Sequence, residues 1–273
     1  MSELLEVTTT LSEGPVLENR ALAAETFLMT IHSPEAARTA RPGSFVKIRA
    51  WAGPGEDGGG PLLDRPFSVH RTEGDRLSIL YRVVGPATRL LSLARPGQAV
   101  RVTGPLGRGL DQAAPGPRAI YLVAGGIGLA PMALTRDWLG PEVSAVLFYG
   151  ERSGALQVEE NWLKSWAGDF TATVDDGTGY GRAGLVTEAL AEALGRELRP
   201  IFACGPKPML AAVSALGARF GAPGVWVSVE ASMACGLGVC LTCSLPLLGG
   251  GRFRACQEGP VVDGLKVDWE KIR

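Results

Sequence analysis

Four of the five cysteines fall within 22 residues of one another: Cys235, Cys240, Cys243 and Cys256. Their spacing is C-x4-C-x2-C-x12-C. The first three match the opening of plant-type [2Fe–2S] loops. Such a cluster needs four thiolates converging on two irons, with backbone N–H groups turned toward its sulfur atoms. Gly236 and Gly238 permit the tight, inward-facing loop this requires. Structural zinc is the alternative. Zinc sites usually pair two short C-x2-4-C knuckles, whereas Cys256 stands alone here. In a chain with clustered cysteines and no secretory signature, metal ligation is favoured over disulfides. Cys204 lies apart, in Cys204-Gly205-Pro206. It reads either as a small buried residue at a strand end or as part of a ligand-facing turn. Only two histidines, His32 and His70, are present, so chemistry centred on histidine–carboxylate pairs has little support.

Two further patterns suggest nucleotide cofactors. The first is Arg65-Pro66-Phe67-Ser68, followed by Leu80-Tyr81-Arg82 and then Gly85-Pro86-Ala87-Thr88. A strand ends there in a tight turn and a helix begins near Thr88. A helix start with small residues suits a pyrophosphate. Arg65 is placed to add a bidentate clamp, and Tyr81 to stack on a ring. The second pattern is Gly125-Gly126-Ile127-Gly128 with Pro131, at a strand-to-helix junction. It is not the G-x-G-x-x-G fingerprint, but missing Cβ atoms at a helix start still allow close phosphate approach. Phe148 to Ser153, Asp175-Asp176-Gly177 and the Cys204 turn also fall at the carboxyl ends of predicted strands, where open α/β sheets bind ligands. Asp175 and Asp176 would repel a 2′-phosphate, which favours NAD over NADP, while Arg152 pulls the other way.

The elements that must position these residues come in three blocks. Short β-rich runs at 44–50, 67–71, 77–84 and 99–103, with a helix over 87–94, predict an antiparallel barrel over residues 1–110. Strands and helices then alternate over 111–230, which predicts a Rossmann-like parallel sheet. The cysteine unit occupies 231–273. A Gly-rich loop is expected at 52–61 and a Pro/Gly linker at 111–118. The 273 residues suit roughly two domains with a small appendage. Hydrophobic residues make up 46% and the formal net charge is -1. That leaves ample core and no overall field to hold nucleic acid or an anionic membrane. No apolar run of 18 residues predicts a membrane span. The N-terminus lacks the pattern of a secretory signal, so a cytoplasmic location is expected.

In order and spacing, these motifs resemble the ferredoxin–NADP reductase superfamily. With the four clustered cysteines added, nearly the whole chain looks like the electron-transfer subunits of class B dihydroorotate dehydrogenases. The resemblance implies FAD in the barrel, NAD on the α/β domain and a [2Fe–2S] cluster on Cys235, Cys240, Cys243 and Cys256. It matches Arg65, Pro66, Phe67 and Ser68 to the first flavin motif and Leu80, Tyr81 and Arg82 to the second. Ala87 and Thr88 match the third, where the family usually has Gly-Thr. Gly125, Gly126 and Gly128, with Gly205 and Pro206, match the nicotinamide-binding turns, and Cys204 would sit near the stacked rings. The resemblance also implies an FMN-containing catalytic partner, two copies of each chain forming a heterotetramer, and a role in pyrimidine biosynthesis. Related small subunits of NADH-dependent ferredoxin–NADP oxidoreductases and of sulfide dehydrogenases share the architecture. Some such relatives replace one cluster cysteine with aspartate; all four are present here.

Overall fold

The computed structural model describes residues 9–51, 60–113 and 116–272. The start of the chain, the glycine-rich loop at 52–61 and the linker at 111–118 fall partly outside them. Six strands close an antiparallel barrel in the order β1-β2-β5-β4-β3-β6. They are β1 (Thr10–Ala23), β2 (Thr26–His32), β3 (Phe45–Arg49), β4 (Arg65–Glu73), β5 (Arg76–Arg82) and β6 (Ala99–Leu106). Alternate residues point inward: Met29 and Ile31, Val46 and Ile48, Leu77 and Ile79, and Val100 and Val102 share one buried core. Helix α1 (Pro34–Thr39) follows β2, and α2 (Pro86–Ser92) follows β5.

A short helix, α3 (Leu110–Ala113), leads to the second layer. There β7 (Ala119–Gly125), β8 (Ser144–Glu151), β9 (Phe170–Val174), β10 (Arg182–Ala183), β11 (Ile201–Cys204) and β12 (Val225–Ser228) run parallel. Helices α4 (Met132–Leu139), α5 (Glu160–Ala167), α6 (Val186–Leu194) and α7 (Lys207–Phe220) connect them. The C-terminal segment adds a hairpin, β13 (Ser244–Pro246) with β14 (Arg252–Arg254), and a strand, β15 (Val261–Asp263). Strand β15 pairs antiparallel with β12, so the sheet reads β10-β9-β8-β7-β11-β12-β15. The cysteine segment therefore supplies the sheet's last strand. The series predicted to end near Val229 gains a seventh member from beyond it. Among the described residues, no helix is long and apolar enough to cross a membrane.

His70 helps join barrel to sheet. It is 3% exposed on β4. Its Nδ1 lies 2.8 Å from the Ala130 carbonyl, and its ring stacks on Trp162 with Trp166 edge-on. Burial, with Arg71 nearby, lowers its pKa from 6.5 to about 4, against the raising effect of the Ala130 hydrogen bond. The folded protein keeps this ring neutral, while the unfolded chain protonates it below pH 6.5. Stability is therefore present above pH 6.5 and drains as pH falls toward 4, by about 3 kcal/mol at ~1.4 kcal/mol per pH unit. Thermal unfolding across that range should show a flatter acid limb in His70→Asn than in the parent. Parallel profiles would contradict this role.

Candidate active site

A cleft of about 420 Å³ opens between barrel and sheet. The flavin-motif residues Arg65, Pro66, Phe67, Ser68, Leu80, Tyr81, Arg82, Ala87 and Thr88 all line it. The sheet contributes Ile127 and Ala130 from the glycine turn and Ser228, Val229 and Glu230 from the end of β12. The cleft thus sits where the carboxyl ends of the parallel strands meet the barrel wall, the usual ligand position for such sheets.

Arg65 begins β4, and its Nη1 donates to the Leu63 carbonyl at 2.6 Å. Among the described residues it has no carboxylate partner. Its neighbour Asp64 is committed elsewhere, to Arg49 at 2.6 Å and Arg101 at 3.0 Å. Burial opposes ionisation of Asp64, but the hydrogen bonds and charges of Arg101 and Arg49 outweigh it and hold the carboxyl below its ordinary range. The Asp64 network fixes the strand start and leaves the Arg65 guanidinium available to a phosphate.

Helix α2 begins at Pro86, one residue ahead of the helix expected over 87–94. The Thr88 hydroxyl accepts from the N–H groups of Val84 at 2.9 Å and Gly85 at 3.1 Å. Thr88 therefore shapes the turn against the cleft. Tyr81 differs from expectation. Its ring is 1% exposed, lies between Phe27 and Phe67, and its hydroxyl donates to Asn19 Oδ1. Its ring stacks on Phe27, because the alternation of β5 that turns Leu80 one way turns Tyr81 into the barrel core. Arg82 is also committed: it pairs with Glu151 at the end of β8, and its Nε donates to Thr26. This pair ties the second flavin motif to the sheet.

The glycine turn forms a 3-10 segment, Gly126–Leu129, ahead of α4. The three glycines serve different ends. A Cβ on Gly128 would overlap the Cys204 carbonyl, and one on Gly125 would overlap the Met209 sulfur and crowd Pro206. These two let the turn pack against the Cys204-Gly205-Pro206 turn. Gly126, at φ 56°, would bring such a Cβ no nearer than 3.6 Å to its nearest neighbours, Arg82 and Glu151. At Gly125 and Gly128 close packing between the two turns is thus a reason for glycine in its own right. Gly128→Ala should cost about 3 kcal/mol through overpacking against backbone, read as a lowered midpoint of thermal unfolding. Gly126→Ala should cost about 1 kcal/mol, for the left-handed backbone alone. Equal losses would contradict the distinction.

Cys204 ends β11 at 2% exposure. Burial, with the nearby Glu230 charge, pushes its thiol far above the ordinary range, against hydrogen bonds to Ser228 and the Gly205 backbone. It is a neutral thiol that can act only by position. Glu230 was not anticipated from the sequence. It is exposed at the cleft, yet desolvation by the surrounding protein raises its carboxyl pKa. The signal available was its place one residue past an apolar strand, Val225 to Val229.

The cysteine loop lies against the barrel's outer face. The Sγ atoms of Cys243 and Cys256 are 3.2 Å apart, and the Cys240 N–H donates to Cys235 Sγ at 3.5 Å. A two-iron cluster draws its four thiolates two to each iron, with backbone N–H groups turned toward its sulfur atoms. The Leu237 N–H donates to Cys235 Sγ at 3.3 Å, and the Gly238 N–H to Cys256 Sγ at 3.2 Å. Hydrogen bonding from the Thr242 side chain, foremost, lowers the Cys240 thiol to about 6. Burial, then Cys243, pushes Cys256 up to about 12. Gly236 and Gly238 both adopt φ 76°, as the tight loop expected from the sequence requires. The donor set and its N–H groups suit a [2Fe–2S] cluster.

Barrel, parallel sheet and interface cleft define a ferredoxin–NADP reductase-like protein. The same fold occurs in a ferredoxin NADP+ reductase from Neisseria gonorrhoeae with bound FAD and NADP, at TM-score 0.63 and 18% identity over 77% of this chain and 92% of that one. A closer likeness is to the NADH-dependent reduced ferredoxin–NADP oxidoreductase structure, at TM-score 0.81 and 28% identity over 94% and 90%. Residues 230–268 match the family model described as the iron–sulfur cluster binding domain of dihydroorotate dehydrogenase B. The electron transfer subunit of dihydroorotate dehydrogenase B (NAD(+)) from Desulforamulus reducens is 34% identical over 94% of this chain and 98% of its own length. That from Geobacillus thermodenitrificans is 36% identical over 90% and 94%. The chain belongs to the family of dihydroorotate dehydrogenase B electron transfer subunits.

Proposed function

We propose that this chain transfers electrons between an FMN-bearing, dihydroorotate-oxidising partner subunit and NAD+, in pyrimidine biosynthesis in the cytoplasm. The carrying observation is one juxtaposition. The predicted flavin motifs line the interface cleft, and the cysteine loop lies against the outer face of β3, the strand paired with Arg65-Pro66-Phe67-Ser68. Bound FAD would supply the exchange between the hydride pairs of nicotinamide and the single electrons of an iron–sulfur cluster. Arg65 would hold its pyrophosphate and Ser68 would border the ring. Nicotinamide would enter past Gly126, Gly205 and Pro206, with Cys204 and Glu230 at the carboxyl ends of the strands. Cys235, Cys240, Cys243 and Cys256 would hold the cluster.

The rim of the cysteine loop supports a docked partner. Leu237, Val239 and Leu241 are 49%, 80% and 61% exposed on the segment that carries Cys235 and Cys240. Clustered apolar side chains on an otherwise polar surface mark contact sites. An assembly of two copies of each chain follows from the family resemblance. A second reading, the small subunit of an NADH-dependent ferredoxin–NADP oxidoreductase, has the 0.81 likeness behind it. The 34% and 36% relatives over nearly the full chain favour the first.

Anaerobic purification tests the cofactor assignment. The expected protein is coloured, holds FAD with iron and acid-labile sulfide, and is bleached by NADH in preference to NADPH. A colourless, zinc-bearing protein would overturn it.

A further inference from the structure

Lys47 is the central residue of β3, and it is only 7% exposed. Its neighbours Val46 and Ile48 fill the barrel. Alternation turns Lys47 and Phe45 outward, toward the C-terminal segment, where Phe45 shares a core with Cys243 and Cys256. In the β3–β4 register Lys47 is the cross-strand partner of Pro66, inside the first flavin motif. Its ammonium donates to the Ala234 carbonyl at 2.6 Å and the Cys235 carbonyl at 3.2 Å. Its stem also fills the space beside Gly236, where a Cβ would come within 2.8 Å of Lys47 Cδ.

Among the described residues, no carboxylate pairs with Lys47. A buried ammonium held only by carbonyls is expensive unless negative charge lies nearby. A cation beside the cysteine loop, Arg254, contrasts with it. Arg254 donates to the Gly238 carbonyl, but Glu258 neutralises it. Four thiolates with two ferric irons and two sulfides carry net negative charge, and reduction adds more. The charge that Lys47 lacks is the charge that a cluster on Cys235 would bring.

We propose that Lys47 is the positioning residue that locks the cluster loop to the flavin-bearing wall and raises the cluster's reduction potential. Net charge near an iron–sulfur cluster is one of the determinants of its potential. A fixed cation stabilises the reduced, more negative form. The same side chain spans from the flavin motif's partner strand to the first cluster ligand, so it also sets how the two redox centres are held. The inference rests on the cluster assignment above.

The test uses the chain coexpressed with its partner subunit and handled anaerobically. Iron and acid-labile sulfide are counted first in the wild type; their absence would overturn the cluster assignment itself. Redox titration followed by electron paramagnetic resonance is then run on wild type, Lys47→Met and Lys47→Arg. K47M keeps the aliphatic stem and removes the charge. It should hold its cluster and shift the reduced-to-oxidised ratio at least tenfold toward oxidised, about 59 mV for a one-electron couple. K47R should stay near the wild-type potential, and the FAD potential should not move in either. K47M with full iron and the wild-type potential would overturn the proposal. If K47M loses its cluster, K47R decides. A K47R protein with its cluster and near-wild-type potential supports the charge argument. One that keeps FAD and loses the cluster overturns it.

Discussion

Replacing Cys243 with serine should give a protein that keeps its flavin and loses its iron. Cys243 is 2% exposed and its sulfur meets that of Cys256 at 3.2 Å. A hydroxyl there is a poor ligand for a site built on thiolates. Even outer-sphere changes at metal sites cost about 10–100-fold, so loss of a direct ligand should take dihydroorotate-dependent NAD+ reduction below about one-hundredth. The flavin side should survive. Arg65 and Thr88 are anchored in the barrel and α2, where their hydrogen bonds go to Leu63 and to Val84 and Gly85. NADH oxidation with an artificial acceptor should therefore stay within about twofold, because hydride transfer needs only the cleft. Iron content, the paramagnetic signal of the reduced protein and the two activities separate these outcomes. A Cys243→Ser protein with full iron would remove Cys243 from the ligand set. Loss of both activities together would show that the loop also supports the cleft.

Removing the Arg65 guanidinium should weaken FAD binding by about a hundredfold. Hydrogen bonds to charged groups contribute about 1.5–3 kcal/mol each, and ~2.7 kcal/mol is a factor of a hundred. Arg49 and Arg101 do not compensate, because Asp64 already holds them. Arg65→Ala should purify with little flavin and regain it at high FAD concentration. Arg65→Lys should fall between, since it keeps the charge but not the planar fork. Fluorescence of released flavin against added FAD measures all three. Wild-type affinity in Arg65→Ala would place the pyrophosphate elsewhere in the cleft.

Much of this was legible because the chemistry depends on local spacing. Cys235, Cys240 and Cys243 lie within a single loop, so C-x4-C-x2-C survives as a sequence signal. The strand–turn–helix rhythm from Ala119 to Phe220 likewise repeats over short distances. Other elements were hidden for physical reasons. Strand β1 carries Gly14 and Pro15 mid-run, residues that weaken a strand signal in sequence. In the barrel, Pro15 simply faces Ala99 of β6 at the Cα register. Helix α5 was missed although Trp162 and Trp166 on it enclose His70. Strand β15 has only three residues and owes its place to pairing with β12, a long-range fact. The site residues divide in the same way. Arg65 lines the cleft from a strand start that is set locally. Tyr81 and Arg82 line the cleft but are committed to Asn19 and Glu151, partners 62 and 69 residues away in sequence. Lys47 and Glu230 carry no motif at all; only the meeting of distant segments reveals them.

The central claim is a path from a dihydroorotate-oxidising partner to NAD+. The most direct measurement is NAD+ reduction on addition of dihydroorotate to the complex recovered with this chain from its own host, under anaerobic conditions. The account predicts that NADH forms, that a flavin-bearing partner is recovered with the chain, and that Cys243→Ser abolishes the activity. A coloured, NADH-reducible complex that leaves dihydroorotate untouched would contradict it and assign the reductase to another electron donor.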